Sequence, residues 1–335
     1  MRPKLSFAYD PQKTRHVFDK EAMARLGACC DILSPEPLTG FASGEARALL
    51  AQTEILVTGW GCPVLTPEAL RAAPALRLVA HAAGTVKFTI DPTAYAAGIR
   101  VTHAAEANAV PVAEFTLAAI LFANKRIFEL RDLYRADPSR RTSYELMDRP
   151  IGNFRRTVGL VGASRIGRKV AAMLQGFAFD VLLYDPFVQP DDPIARQVEL
   201  VDLDTLMARS DVVSIHAPSL PTTRGMIGAR QLKLMPDGAA FINTARGALV
   251  DETALLAELQ TGRIQAIVDV TDPEIPPADS PFFSLPNVFL TPHVAGAIGT
   301  ERSRLGLMAV EEVERFVRGE PMLYEIEPAL LERLA

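Results

Sequence analysis

The sequence predicts an α/β protein built on parallel sheets, and three observations carry that expectation. Short runs rich in β-branched and aliphatic residues alternate with helical patterns along nearly the whole chain, the signature of βαβ units rather than of a sandwich or a bundle. Helix starts fall between the runs: Thr66-Pro67-Glu68 and Asp91-Pro92 each set a side-chain oxygen ahead of a proline at the first helical position. The 335 residues, 49% hydrophobic and 22% charged, suffice for about two domains with cores of their own.

Taken in order, the first third carries expected strands at Leu5–Tyr9, Ile55–Thr58, Leu76–His81 and Ile99–Thr102. A long helical pattern then runs from about Val112 to Tyr134. The arginine-rich stretch Ala136–Arg156 has weak periodicity and reads as a connector. From Thr157 a second series begins, with strands expected at Val158–Val161, Val181–Tyr184, Val212–Ile215, Ala240–Asn243, Ala266–Val270 and Val288–Leu290. Six strands suit a doubly wound sheet. After Pro292 a helical pattern from about Thr300 to Val317 leads to Met322–Ile326, read as a short strand too late to join that sheet. The tail is therefore expected to return to the first domain and make it discontinuous.

Charge and cysteine usage exclude several function classes. Thirty-five Lys and Arg against 40 Asp and Glu leave a net charge of -5, so no global basic field draws a phosphate backbone and no nucleic acid is expected. The three cysteines are odd in number and Cys29 adjoins Cys30, which points to a reducing, cytoplasmic compartment rather than a disulfide framework. None of them has zinc-ligand spacing, so no metal is expected. No apolar stretch of signal-peptide length follows the N-terminus, and the mature chain is expected to begin there. The longest apolar run, Phe115–Ala123, falls short of the roughly 18 residues that cross a bilayer and reads as a buried helix, so no membrane is expected.

Gly162-Ala-Ser-Arg-Ile-Gly167 follows the apolar run Val158–Val161 and opens a helical pattern from Arg168 to Leu174. That context suits a dinucleotide: a tight turn, a backbone close to the pyrophosphate, and a helix N-terminus whose free N–H groups bind an anion. Ser164 stands where the second glycine belongs; its side chain either displaces the pyrophosphate or donates a hydrogen bond to it. Asp185 ends the next strand, 18 residues after Gly167, where a carboxylate can accept both ribose hydroxyls of an adenosine and repel a 2′-phosphate. No Arg or Lys follows in Pro186–Pro190, so NAD is favoured over NADP. Beyond this motif an Arg, a Glu and a His each follow an expected strand, where open α/β sheets place their chemistry. They are Arg246 in Asn243–Asp251, Glu274 in Asp269–Glu274, and His293 in Thr-Pro-His-Val-Ala-Gly296.

With these segments in this order, together with His216-Ala-Pro218, Thr223-Arg-Gly225 and Leu285-Pro-Asn287, the chain resembles the D-isomer-specific 2-hydroxyacid dehydrogenase family over essentially its full length. The resemblance implies two Rossmann-like lobes, a doubly wound parallel NAD-binding sheet inserted into a smaller flavodoxin-like substrate domain. The substrate domain would comprise 1–103 plus 303–335 and the NAD-binding domain 104–302. It implies that Ala83-Gly84-Thr85 is the loop holding the substrate carboxylate by backbone N–H groups, close approach being allowed by the missing Cβ of Gly84. It also implies that Asp269 accepts the nicotinamide carboxamide, with further cofactor contacts at Arg165, Ile166, His216, Ala217, Thr223 and Thr244.

The residue types allow the chemistry so implied. Oxidising a 2-hydroxy acid removes the hydroxyl proton while a hydride leaves the same carbon, which asks for a base that works near neutrality; His293 is the candidate. Glu274 would stabilise its imidazolium and fix its tautomer, with Asp272 competing for that place. Arg246 can hold the substrate carboxylate and carbonyl in a planar fork that lysine cannot reproduce. His81 lies beside the substrate loop and could line the cleft, whereas His16 and His103 read as surface or strand-end residues; Trp60 could pack over substrate or fill core.

Thr271 stands where many family members carry an aromatic residue, and Ile275 replaces a common proline. Phosphoglycerate dehydrogenases, which the chain also resembles, typically bring arginines from the first domain, but Thr58-Gly-Trp-Gly-Cys-Pro63 offers no cation, and no C-terminal regulatory domain is expected after Ala335. The reading is an NAD-dependent reductase of a small 2-oxo acid such as glyoxylate or hydroxypyruvate, acting as a homodimer. The alternatives are a phosphoglycerate dehydrogenase and an NAD-sensing co-repressor on the same scaffold.

Overall fold

The computed structural model describes residues 2–87 and 89–328; Met1 and 329–335, the ends of the expected substrate domain, lie outside the described residues. The chain forms two compact units, Met1–Asn108 with Ala297–Ala335, and Ala109–Gly296.

The first unit is a five-stranded parallel sheet in the order β2-β1-β3-β4-β5, with β1 Lys4–Ala8, β2 Asp31–Ile32, β3 Ile55–Thr58, β4 Leu78–His81 and β5 Arg100–His103. Both faces are covered, so its strands are apolar without alternation. Leu5, Phe7, Ile55, Val57 and Leu78 pack on one side, and Leu56, Val79 and Val101 on the other. Thr66 caps helix Pro67–Ala72 by accepting from Ala69 N–H at 3.4 Å, as its sequence position predicts. At Asp91 the start shifts by one: Pro92 precedes helix Thr93–Ala96, and Asp91 accepts from both the N–H and the hydroxyl of Thr93. Helix Ser303–Arg318 belongs to this unit and joins helix Lys20–Cys29 through a two-pronged Arg25–Glu314 pair at 2.9 Å.

The tail is not the strand expected at Met322–Ile326. It makes one antiparallel bridge, Thr102 to Glu325, because the buried carboxylate of Glu312 takes the Tyr324 N–H that a continued ladder to His103 would need, along with the N–H of Leu323.

The second unit is a seven-stranded parallel sheet in the order β12-β11-β10-β9-β6-β7-β8. Its strands are β6 Arg156–Val161, β7 Phe179–Tyr184, β8 Glu199–Leu200, β9 Val212–Ile215, β10 Ala240–Asn243, β11 Gln265–Val268 and β12 Val288–Leu290. The order reverses between β6 and β9, and the crevice beyond the carboxyl ends of those strands is where open α/β sheets bind ligands. The sequence reading missed β2 and β8, two-residue edge strands too short to carry a pattern.

Two helical expectations are corrected. The pattern read as one helix from Val112 to Tyr134 is two, Ala105–Asn124 and Ile127–Ala136, broken at Arg126 in the left-handed region (φ 51°). The first begins seven residues early and takes Pro111 into its interior. At 20 residues it is, contrary to expectation, long and apolar enough by length and composition to cross a membrane, yet Ala113, Ala119, Ile120 and Ala123 are built into the core of the second sheet. The stretch read as a connector holds helix Arg141–Met147, whose only buried residues are Ser143 and Leu146.

Candidate active site

The glycine motif lies at the switch point. Gly162 leaves β6 with φ +103°, and a Cβ there would stand 2.6 Å from the backbone nitrogen of Ala217, just past β9. A Cβ on Gly167 would meet the Gly162 carbonyl at 2.1 Å. These two positions admit glycine alone, and the packing turns the start of helix Arg165–Leu174 toward the strand ends. Ser164 is the N-cap of that helix, its Oγ accepting from Gly167 N–H at 3.3 Å, which leaves its O–H free to donate. Arg165 and Ile166 form the first turn, Arg165 exposed and Ile166 packed against the sheet core.

The carboxylate of Asp185 spans the same loop. One oxygen accepts Ala163 N–H at 2.7 Å and the other Phe187 N–H at 2.9 Å. Each keeps a lone pair for a ribose hydroxyl. Arg168 is held in a two-pronged pair with Asp192 at 2.7 Å, which chiefly raises its pKa, with a smaller contribution from Asp185. The residues present thus fit a dinucleotide: a tight glycine turn, a capped helix start and an acid at the second strand end.

His216 is 3% exposed, with Nε2 3.0 Å from Ser214 Oγ; burial pulls its pKa down to about 3, so the ring is neutral. Ala217 beside it is buried. Thr244 shares a hydrogen bond with Thr116 at 2.9 Å. Thr223 donates to the Pro218 carbonyl at 2.6 Å and accepts from Leu220 N–H, closing its own loop.

At the far end of the sheet the expected triad comes together. The Nδ1–H of His293 donates to Glu274 Oε1 at 2.5 Å, with both side chains open to solvent. Asp272, the rival acid, turns away to pair with Arg224 at 2.7 Å. Arg246 stands in the field of Glu274; it presents surface to solvent, yet protein surrounds its guanidinium closely enough that desolvation lowers its pKa, Glu274 opposing the shift.

The backbone that carries these groups is tied down residue by residue. His293 adopts φ +56°, a strained conformation for a side-chain-bearing residue. Asp269 holds it there: its carbonyl accepts His293 N–H at 2.9 Å, and its carboxylate accepts from Thr291 Oγ1, Val294 N–H and Ala295 N–H at 2.6, 2.8 and 3.0 Å. Asn243 ties the arginine loop, donating to the Arg246 carbonyl at 3.0 Å and accepting from Ala245 N–H. Thr271 donates to the carbonyls of Pro273 and Glu274 at 2.8 and 3.1 Å. A Cβ on Gly247 would stand 2.0 Å from the Thr271 carbonyl carbon, so the arginine and glutamate loops lie backbone to backbone.

Sequence reasoning assigned no task to Asn243, Thr271 or Gly247. Their one signal was position, each within three residues of an expected catalytic group.

Ala83 and Gly84 lie in the first unit, just past β4, with Ala83 buried. A Cβ on Gly84 would meet only Asn108 Nδ2, at 3.8 Å, so nothing in the unit itself excludes a side chain there. His81 does not line a cleft: it is 2% exposed, bonded through Nδ1 to Thr58 Oγ1 at 2.8 Å, and burial pulls its pKa down to about 4. Trp60 packs against two core clusters with the Arg302 guanidinium 5.4 Å above its ring, a cation that the segment 58–63 did not foretell. A concavity of about 670 Å³ between Ser34 and Gln52 contains none of the candidate residues.

Residues 117–295 match the family described as D-isomer specific 2-hydroxyacid dehydrogenase, NAD binding domain. Over 278 residues the chain is 36% identical to a D-3-phosphoglycerate dehydrogenase of Mycobacterium leprae, covering 82% of this chain and 50% of that protein. The chain thus spans about half the length of that curated relative. It is 32% identical over 326 residues to a glyoxylate reductase of Thermofilum pendens, covering 95% of this chain and 93% of the relative. A solved D-isomer specific 2-hydroxyacid dehydrogenase from Lactobacillus delbrueckii ssp. bulgaricus, in its NAD complexed form, superimposes with a TM-score of 0.79 at 25% identity, covering 97% of this chain and all of that one. The chain belongs to the D-isomer specific 2-hydroxyacid dehydrogenase family.

Proposed function

We propose that the chain is an NAD(H)-dependent dehydrogenase acting on a small 2-hydroxy or 2-oxo acid, in the manner of the glyoxylate reductases to which it is similar. The single observation that carries this reading is the His293–Glu274 hydrogen bond beside Arg246. NAD(H), when bound, supplies hydride exchange with the substrate carbon. His293, its Nδ1 engaged by Glu274, keeps Nε2 for the substrate oxygen and gives or takes a proton there. Arg246 holds the carboxylate and carbonyl and stabilises negative charge developing on oxygen. Ala83 and Gly84 offer backbone N–H groups to the carboxylate.

On the cofactor side, Gly162, Gly167 and Ser164 receive the pyrophosphate, the Ser164 hydroxyl being free to donate. Asp185 takes the ribose hydroxyls. Arg165, Ile166, His216, Ala217, Thr223 and Thr244 supply the remaining contacts. Asp269 spends most of its acceptor capacity on the His293 loop, which supports a positioning role ahead of a bond to the carboxamide.

A second copy of the chain is the proposed partner. Helix Ile127–Ala136 buries no residue, and Phe122, Tyr134, Tyr144, Met147 and Phe154 along the same arm are exposed. A cytoplasmic location is part of this reading, since Cys29, Cys30 and Cys62 are all free thiols.

Likeness to the Mycobacterium leprae protein favours a second reading, oxidation of a phosphorylated hydroxy acid. NADH oxidation across glyoxylate, hydroxypyruvate and bulkier 2-oxo acids, run beside NAD reduction by 3-phosphoglycerate, separates the two. The proposed reading expects turnover of the former, lowered about 100-fold in kcat/KM by Arg246→Ala. Tight NADH binding without turnover of any acid would instead make this a cofactor-sensing binding protein.

A further inference from the structure

Cys29 closes helix Lys20–Cys29 and Cys30 follows it, with their sulfurs 3.7 Å apart. Cys29 is half-buried and its Sγ lies 3.5 Å from the Leu26 carbonyl, while Cys30 is buried in the core of the first sheet. Neighbouring residues place their Cα atoms about 3.8 Å apart, below the separation of roughly 4.4 Å or more that an ordinary disulfide spans. By contrast, two sulfurs bound at about 2.3 Å to one pyramidal or tetrahedral centre stand about 3.4 to 3.8 Å apart. The pair therefore has the bite of a chelate. Among the described residues no group of three or more His, Cys, Asp or Glu could hold a metal ion, so a centre needing four protein ligands is not completed here.

We propose that Cys29 and Cys30 form a covalent binding site for a thiophilic centre with two open positions, of the class of monosubstituted trivalent arsenicals. Cys29 attacks first, being the accessible sulfur. Its thiol is drawn down to about 7, chiefly by the hydrogen bond from Cys30, against desolvation and the charge of Glu314 and with some help from Arg318. That hydrogen bond and burial push the Cys30 thiol up, so it stays protonated until it closes the ring. With an arsenic(III) oxide the two arsenic–oxygen bonds break and two arsenic–sulfur bonds form. Both thiol protons leave on the oxygen as water, and no electrons change hands. Cys62, whose thiol burial pushes up to about 12, is the internal control.

The test is titration of the full chain with phenylarsine oxide, followed by intact mass and thiol counting. The expected result is one adduct per chain, the mass of the oxide less one water, with two of the three thiols lost. The adduct should be reversed by a dithiol and resist excess monothiol. Cys29→Ser should weaken binding at least about 100-fold, as loss of the second attachment point does, while Cys62→Ser leaves it unchanged. No adduct on the folded wild-type chain, or an undiminished dithiol-reversible adduct on Cys29→Ser, would overturn the proposal. Cys30→Ser repeats the test from the buried side, and Cys29→Ser decides alone should that variant not fold.

Discussion

Asp269 holds His293 by its main chain: the Asp269 carbonyl accepts His293 N–H at 2.9 Å, and its carboxylate gathers three further donors from residues 291–295. A strained backbone persists only where its surroundings over-determine it. Asp269→Asn keeps the shape but turns an amide NH₂ toward an N–H donor, leaving at least one buried group unpaired. The expected loss is about 1 to 3 kcal/mol of stability and a fall in kcat as the ring loses its orientation. Denaturant unfolding and steady-state kinetics on one preparation check both.

Glu274 and Asp272 could not be ranked from sequence, and their partners now separate them. Glu274 bonds the imidazole while Asp272 bonds Arg224. Glu274→Gln should lower kcat by about 100-fold or more, the scale of an acid–base contribution, with NADH affinity unchanged. Asp272→Asn should stay within about threefold of wild type, since an exposed ion pair contributes little. Parallel kinetics on the two variants decide; equal losses would mean that the bond to the imidazole is not what matters.

Legibility followed the physics of each element. Strands buried on both faces stand out as apolar runs; Ile55–Thr58 and Val212–Ile215 match the expectation to the residue, whereas Leu78–His81 and Arg100–His103 differ from it by one or two residues at their ends. The edge strands Asp31–Ile32 and Glu199–Leu200 are too short for a period. Pro111 hid the first turns of its helix, since proline in a sequence reads as a boundary while the fold tolerates one missing N–H. In the candidate site, reactive side chains were legible by type. The residues that aim them act through main-chain contacts that carry no hydrophobic period: Asn243 and Thr271 bond backbone groups two or three positions on, and Gly247 lies against the Thr271 backbone 24 positions away.

The buried histidines set a pH dependence of stability. His81 and His216 are neutral in the fold, with pKa values drawn down by burial to about 4 and about 3. Both would titrate near 6.5 in the unfolded chain. Between those values the unfolded state binds the proton and the folded state does not, so stability is full above about pH 6.5 and falls as pH drops toward 4. From pH 7 to 5 each histidine should remove on the order of 2 kcal/mol. Denaturant midpoints across that range should decline, and His81→Gln should flatten the slope. A midpoint independent of pH would mean that the rings charge within the fold.

Thr271 offers the sharpest separation of aiming from folding. Its hydroxyl donates to the carbonyls of Pro273 and Glu274, and its backbone lies against Gly247, next to Arg246. Thr271→Val keeps the volume and frees both carbonyls, so the Glu274 backbone gains freedom while the cofactor motif at Gly162–Gly167 is untouched. Loss of about 1 kcal/mol of positioning corresponds to a kcat lowered about fivefold to tenfold. NADH affinity should hold, and Thr271→Ser, which restores the donor, should recover most of the rate. A structural role alone would lower thermal stability in Thr271→Val and leave kcat of the folded fraction intact. The kcat per folded active site, measured beside the melting curve, therefore tells positioning from packing.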